Sequence, residues 1–242
     1  MWGKNFDFMT LPPQHIAFII DGNGRWALNK RLSRVVGHKH GAVTVKKIIE
    51  ACRKRHIPYI TVYAFSSENW KRPVNEVNHL MNLFEHYLEK EQEDMLKQDI
   101  RLKVIGDRER LPPRLIQRIE HVEQASQNSQ SMTVHVAFNY GGRAEIVRAT
   151  QNIAAQVKRG DLALDDITEE KLTQHLYTHG APDPDLLIRT SGEQRLSNYL
   201  LWQLAYTEFF FLDKHWPDFT EQDLDLAIFS FQKRHRRFGK AA

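Results

Sequence analysis

A carboxylate, two glycines, an amide and an arginine follow one another at Asp21-Gly22-Asn23-Gly24-Arg25. The glycines let the backbone come close to a ligand and aim N–H groups at negative charge. A helix starting just after them adds partial positive charge at the same point. Asp21 repels an anion, so its useful role is to hold a divalent cation seated on that anion. The set suits a magnesium-bound phosphate. A tight turn with a chance charge is the plain alternative, and this loop by itself leaves both open. The loop has neither the G-x-x-x-x-G-K-[ST] spacing of a P-loop nor the third glycine of G-x-G-x-x-G.

Three more segments carry similar chemistry. Ser66-Ser67-Glu68-Asn69-Trp70-Lys71-Arg72-Pro73 places hydroxyls, an amide and two cations after an apolar run. Asn139-Tyr140-Gly141-Gly142-Arg143 does so more sparsely. Arg189 falls inside an apolar run, and a buried guanidinium needs an anionic partner. Arg195 and Ser197, six and eight residues later, are expected to open a helix, again a place that suits an anion. Four arginine-bearing loops on one edge of a sheet read as a site for more than one phosphate group. Leu80, Met81, Leu83, Phe84 and Leu88 offer more apolar surface than one contact stripe needs. They serve as core packing or as the wall of an apolar channel. In a channel, each C5 unit of an isoprenoid would gain about 4 kcal/mol on burial, at about 0.8 per CH₂.

The elements that must position these residues are legible from periodicity. Near-continuous apolar runs at 15–21, 59–65, 101–107, 132–140, 185–190 and 208–213 predict strands covered on both faces. Helical spacing predicts helices at 41–56, 75–97, 112–125, 144–159, 168–176 and from Thr220 onward. The alternation predicts an α/β fold with a mostly parallel central sheet of about six strands flanked by helices. Ligands of such sheets bind beyond the carboxyl ends of the strands, where the four loops fall. No linker divides the chain. The expected organisation is a short tail over 1–12 and one domain over 13–242.

Composition narrows the function classes. The chain has 242 residues, 41% hydrophobic and 10% aromatic, which excludes a disordered protein. One cysteine excludes an intramolecular disulfide and a multi-cysteine zinc site, and Cys52 reads as a small buried hydrophobe. The net charge is +4, yet 233–240 holds five cations and no acid, so the body is nearly neutral. That pattern does not suit a nucleic-acid binder, which spreads a basic stripe over a folded face. A second basic concentration, Arg25 to Lys47, adjoins the glycine loop. Neither a signal peptide nor a membrane-length apolar run is visible, so a cytoplasmic protein is expected.

HIAFIIDGNGRWA (15–27), Arg34 with GHKHG (37–41), TVYAFSSENWKRP (61–73), FNYGGRAEI (138–146), DLLIRTSGEQRLSNYLLWQ (185–203), then Glu208 and WPDF (216–219), resemble the cis-prenyltransferases over about residues 13–240. The closest likeness is to the bacterial members that make undecaprenyl diphosphate. The resemblance implies a Mg²⁺-dependent homodimer that condenses isopentenyl diphosphate onto farnesyl diphosphate, building a long cis-polyprenyl chain. It implies that Asp21 is the essential metal-binding carboxylate. Gly22, Asn23, Gly24, Arg25, Arg34 and His38 hold the allylic diphosphate, and Trp26 borders its prenyl chain. Arg189, Arg195, Leu196 and Ser197 belong to the isopentenyl diphosphate site. Ser66, Ser67, Glu68, Trp70 and Arg72 belong to a segment that closes over the substrates. Asn69 sits at the position of proton removal; an amide is a poor base, so it is expected to act in a relay or to orient a diphosphate oxygen. Glu208 matches a second metal-associated position. Gln194 replaces a histidine found in some members and is given no metal role. Phe138 stands where some members have a smaller residue, and would shorten the channel if it faces it. A shorter-chain synthase and a non-catalytic scaffold subunit on the same fold are the alternatives. The basic C-terminal segment would approach a partner subunit, the isopentenyl site or a membrane surface.

Overall fold

The computed structural model describes residues 11–234. Six strands, β1 (His15–Ile19), β2 (Tyr59–Ser66), β3 (Ile100–Ile105), β4 (Met132–Tyr140), β5 (Leu186–Arg189) and β6 (Glu208–Phe211), form one sheet in the order β3-β4-β2-β1-β5-β6. Every neighbouring pair is parallel. The order runs outward from β1 in both directions, which opens a crevice at the carboxyl ends of β1, β2 and β5. Four strands lie within the runs that predict them, and β2 and β3 overrun theirs by one residue each, at Ser66 and Ile100. β1 stops before Asp21, whose N–H turns back onto the Ile19 carbonyl at 3.0 Å.

Side chains alternate across the sheet as the pleat requires. Ile16 and Phe18 enter one core; Ala17 and Ile19 enter the other. The first core is covered by α2 (Arg34–Lys54), α3 (Val74–Lys97), α4 (Pro113–Ser126) and α7 (Glu221–Gln232). In the second core Tyr63 stacks on Tyr199 with centroids 4.4 Å apart, and Tyr140 meets both rings edge-on. α5 (Gly142–Arg159) and the short α6 (Glu169–Gln174) complete the connections, Thr168 capping α6 and Thr220 capping α7 as their sequences predict. Cys52 is fully buried, and burial pushes its thiol up to about 12, so it is inert packing.

Two helical boundaries differ from expectation. α2 begins at Arg34, seven residues before the apolar periodicity, and a short α1 (Asn23–Asn29) precedes it. The first turns of α2 bury glycine instead of apolar side chains: a Cβ on Gly37 would lie 2.0 Å from the Asn23 carbonyl oxygen, and one on Gly41 2.2 Å from Asn23 Oδ1. The helix is therefore invisible to a hydrophobic pattern exactly where it must press against the glycine loop. The second difference is 191–206, which forms turns and no helix. Ser197, Asn198 and Leu200 have φ of 53°, 61° and 41°, a conformation that breaks a right-handed helix.

Candidate active site

The glycine loop is held by what lies beneath it. Gly22 has φ 103°, and a Cβ there would lie 1.9 Å from Ser191 Oγ, so no other residue fits. The Asp21 carbonyl accepts from Thr190 Oγ1 at 2.7 Å and from the Trp216 N–H at 3.0 Å. These bonds fix the Asp21 carboxylate at the rim. Its Oδ2 accepts from Arg189 Nη2 at 3.0 Å, and its Oδ1 lies 3.2 Å from Arg25 Nη2. Burial pushes the Asp21 carboxyl up, but the Arg189 hydrogen bond and the two guanidinium charges outweigh it and hold the group below the usual carboxylate range.

Arg189, 3% exposed, finds the anionic partner that its sequence context demands. Its Nη1 donates to Ser197 Oγ at 2.8 Å and to the Arg195 carbonyl. Around this pair a cavity of about 280 Å³ opens at the carboxyl ends of the strands. It brings together Asp21, Gly22, Asn23, Gly24, Arg25 and Arg34 from the first loop and α2, with His38. Ser66, Asn69 and Arg72 close one side, Arg189 and Ser197 the other. Asn69 Oδ1 accepts from the Ser66 N–H at 3.1 Å, so that oxygen is already engaged.

Seven predicted residues lie outside this cavity. Trp26 is buried beneath it, donating to Asp218 Oδ1 at 2.7 Å with its ring 4.7 Å from His40. Trp70 donates to Asn139 Oδ1 at 2.7 Å and packs on Phe65. Glu68 accepts from Asn198 Nδ2 at 2.8 Å and from Ser67 at 3.2 Å. Leu196 packs on the second core. The Arg195 side chain is 62% exposed and pairs with Glu193, so only its carbonyl reaches Arg189; the turn-rich backbone, not a helix, sets that direction. Glu208 lies apart from Asp21. It starts β6, in register with Leu186 and hence with Ile16, so the parallel register sets it on the opposite rim from Asp21. Its carboxylate takes Arg234 Nη1 at 2.7 Å. The basic stretch beyond Arg234 lies outside the described residues.

Four contributors escaped the sequence reading. Glu76 accepts from Arg72 at 3.1 Å and lies 3.5 Å from His38. Glu193 bridges Arg25 and Arg195. Tyr63 lines the cavity and donates to the Tyr140 and Ser197 carbonyls. Asn198 ties the 66–72 segment to α5 through Glu68 and the Arg143 N–H. Only Glu76 carried a signal, its i,i+4 spacing from Arg72.

Three buried polar atoms at this site lack a hydrogen-bond partner, Asn23 Oδ1, His38 Nε2 and Arg189 Nε, and of these only His38 Nε2 has an ion-pair contact, with Glu76 Oε1 at 3.5 Å. Such groups point to a missing polar ligand. Burial and the charge of Arg72 keep the His38 pKa low despite Glu76. No cluster of three or more metal-ligating side chains occurs among the described residues. A single carboxylate still fits Mg²⁺, which keeps waters and takes its other oxygens from substrate phosphates.

The polar cavity continues into an apolar one of about 190 Å³ between α2, α3 and the sheet; Ile20, Ala64 and Leu80 line both. Leu83, Phe84 and Leu88 line the apolar part, while Met81 is ordinary core. Phe138 faces this channel and stacks on Phe84 at 4.2 Å.

A carboxylate among arginines, opening directly into a hydrocarbon-sized chamber, defines an enzyme of amphiphiles with an anionic head and an apolar tail. Comparison with known proteins gives that class its family. Residues 19–239 match the family described as "Putative undecaprenyl diphosphate synthase". A Legionella pneumophila ditrans,polycis-undecaprenyl-diphosphate synthase, (2E,6E)-farnesyl-diphosphate specific, is 52% identical over 94% of this chain and 96% of its own. Lavandulyl diphosphate synthase from Lavandula x intermedia, solved with dimethylallyl diphosphate, is 42% identical with a TM-score of 0.92 over 95% of this chain and 99% of its own. A "probable undecaprenyl diphosphate synthase" from Campylobacter jejuni is 33% identical with a TM-score of 0.79 over 96% and 100%. The chain belongs to the undecaprenyl diphosphate synthase family and is a prenyltransferase.

Proposed function

We propose that the enzyme adds isopentenyl diphosphate repeatedly to farnesyl diphosphate, with cis geometry, to make undecaprenyl diphosphate, the lipid carrier precursor of cell-wall polysaccharide synthesis. The observation that carries this reading is the shared wall at Ile20, Ala64 and Leu80, which lets one molecule keep its head among the arginines and its tail in the channel.

The allylic diphosphate lies against the N–H groups of Asn23 and Gly24, Arg25, Arg34 and His38. Isopentenyl diphosphate lies against Arg189 and Ser197. Asp21 would hold magnesium, which would supply charge neutralisation at the leaving diphosphate. Breaking the allylic C–O bond sends its electron pair to that diphosphate, where Arg25 and Arg34 meet the growing charge without reorganising. The isopentenyl double bond supplies the electrons of the new C–C bond, and the two sites set its approach. A proton then leaves the adjacent carbon for a diphosphate oxygen oriented by Asn69 and Ser66, and the new double bond forms.

Phe138 supports a second reading, a shorter product, because its ring occupies the channel. A homodimer is supported by edge strand β6, which presents part-buried Phe209, Phe210 and Phe211. No helix among the described residues is long and apolar enough to cross a membrane, so membrane contact would be peripheral, through the lipid product. Incubation with farnesyl diphosphate, radiolabelled isopentenyl diphosphate and MgCl₂, followed by product sizing, tests the reading. Eleven-unit products support it. Products below about eight units favour the shorter synthase, and no incorporation overturns both.

A further inference from the structure

Resting on that reading, we propose that the ion-paired cluster Lys46–Glu91–Asp94, which joins α2 to α3 at the far end of the apolar chamber, sets where prenyl elongation stops. Both helices start beside the head site and run toward the amino edge of the sheet. His38 and Leu80 mark the near end. Lys46 lies about 12 Å beyond His38, and Asp94 about 21 Å beyond Leu80, at 1.5 Å per residue. There Lys46 Nζ sits 2.5 Å from Glu91 Oε2 and 2.8 Å from Asp94 Oδ2. All three residues line the chamber, beside Ile49, Met95 and Leu102 and the polar Glu50 and Gln98.

Packing alone does not explain charges at this place. An apolar side chain would close the cavity without ordering three ionic groups, and ion pairs of this exposure add little stability. Their position suits a different role. The chamber, about 190 Å³, is far smaller than a long prenyl tail. Elongation must therefore part α2 from α3, and the cluster is the ion-paired bond a tail meets first across that seam, ahead of the 3.0 Å hydrogen bond from Arg53 Nε to Gln98 Oε1. A tail end arriving there has to separate Lys46 from both carboxylates. The two carboxylates also hold Lys46 firmly protonated, its pKa raised, so the bond persists across ordinary pH.

The test sizes radiolabelled products from wild type, Lys46→Met, Glu91→Gln and the charge-exchanged double variant Lys46→Glu/Glu91→Lys, each with farnesyl diphosphate. Single-turnover addition of the first C5 unit is read alongside. The proposal expects the single variants to lengthen the main product by one or more units at an unchanged first-addition rate. It expects the exchanged pair to return toward wild-type length. High salt should lengthen the wild-type product and leave Lys46→Met unmoved. Unchanged product lengths in the single variants overturn the proposal while leaving the prenyltransferase reading intact. A wild type that adds no isopentenyl unit overturns that reading, and the proposal with it.

Discussion

The buried guanidinium of Arg189 donates to Asp21 across 168 positions of sequence, Nη2 to Oδ2 at 3.0 Å. Strand β5 thus supplies the cation that steadies the carboxylate at the end of β1. The pair spans the proposed metal site and the proposed isopentenyl site, so each residue serves two tasks.

Asp21→Asn keeps an acceptor for Arg189 and removes the charge that holds a divalent cation. Turnover should fall about a hundredfold or more with an unchanged circular dichroism spectrum. Asp21→Ala should also lower thermal stability, because it leaves buried Arg189 short of its anion. Wild-type turnover in Asp21→Asn would refute the metal role.

Arg189→Lys retains the charge and loses the planar fork that reaches Asp21, Ser197 and the Arg195 carbonyl together. The expected result is a kcat/KM for isopentenyl diphosphate lowered about tenfold or more. Initial-rate kinetics with the allylic substrate saturating would reveal it.

Removing the Phe138 ring opens the channel beside Phe84. Phe138→Ala should give longer products, with stability lowered by about 3 kcal/mol through lost stacking and packing. Product sizing and urea unfolding report the two effects separately; shorter products would mean that the ring guides the chain instead of blocking it.

Two histidines lie in the sheet interior. His15 Nδ1–H donates to the Pro182 carbonyl at 2.6 Å, and its Nε2 lies 2.8 Å from Thr61 Oγ1. Burial lowers the pKa of His15 to about 4 and, with repulsion from His15, that of His135 to about 3. The unfolded chain binds more protons below about 6.5, so stability falls as pH drops from there toward 4. His15 alone costs about 3 kcal/mol at pH 4. A melting temperature flat over that range would contradict buried neutral imidazoles, and His135→Leu should make the decline shallower.

The strands were legible because each is a continuous apolar run, and the parallel order follows from their alternation with helices. The glycine loop and Arg189 were legible because their residue types are costly unless a ligand or partner answers them. What escaped depends on contacts remote in sequence. Glu193 and Asn198 are ordinary polar residues until the 191–206 turns bring them beside Arg25 and Glu68. Trp26 and Trp70 adjoin the site in sequence, yet their indoles find Asp218 and Asn139 and face away. Glu208 lies apart from Asp21 for a geometric reason: motif spacing measures distance along the chain, whereas the rim on which a residue lies depends on which end of its strand it occupies.

The common wall of the two cavities also governs how long a product stays. Both proposed head sites open on the same rim, so whichever holds the diphosphate, every added unit would deepen the tail's immersion. Each such unit contributes about 4 kcal/mol while it remains out of water. Departure therefore slows as the molecule grows, and over successive rounds escape, more than bond making, comes to limit the pace of the catalyst.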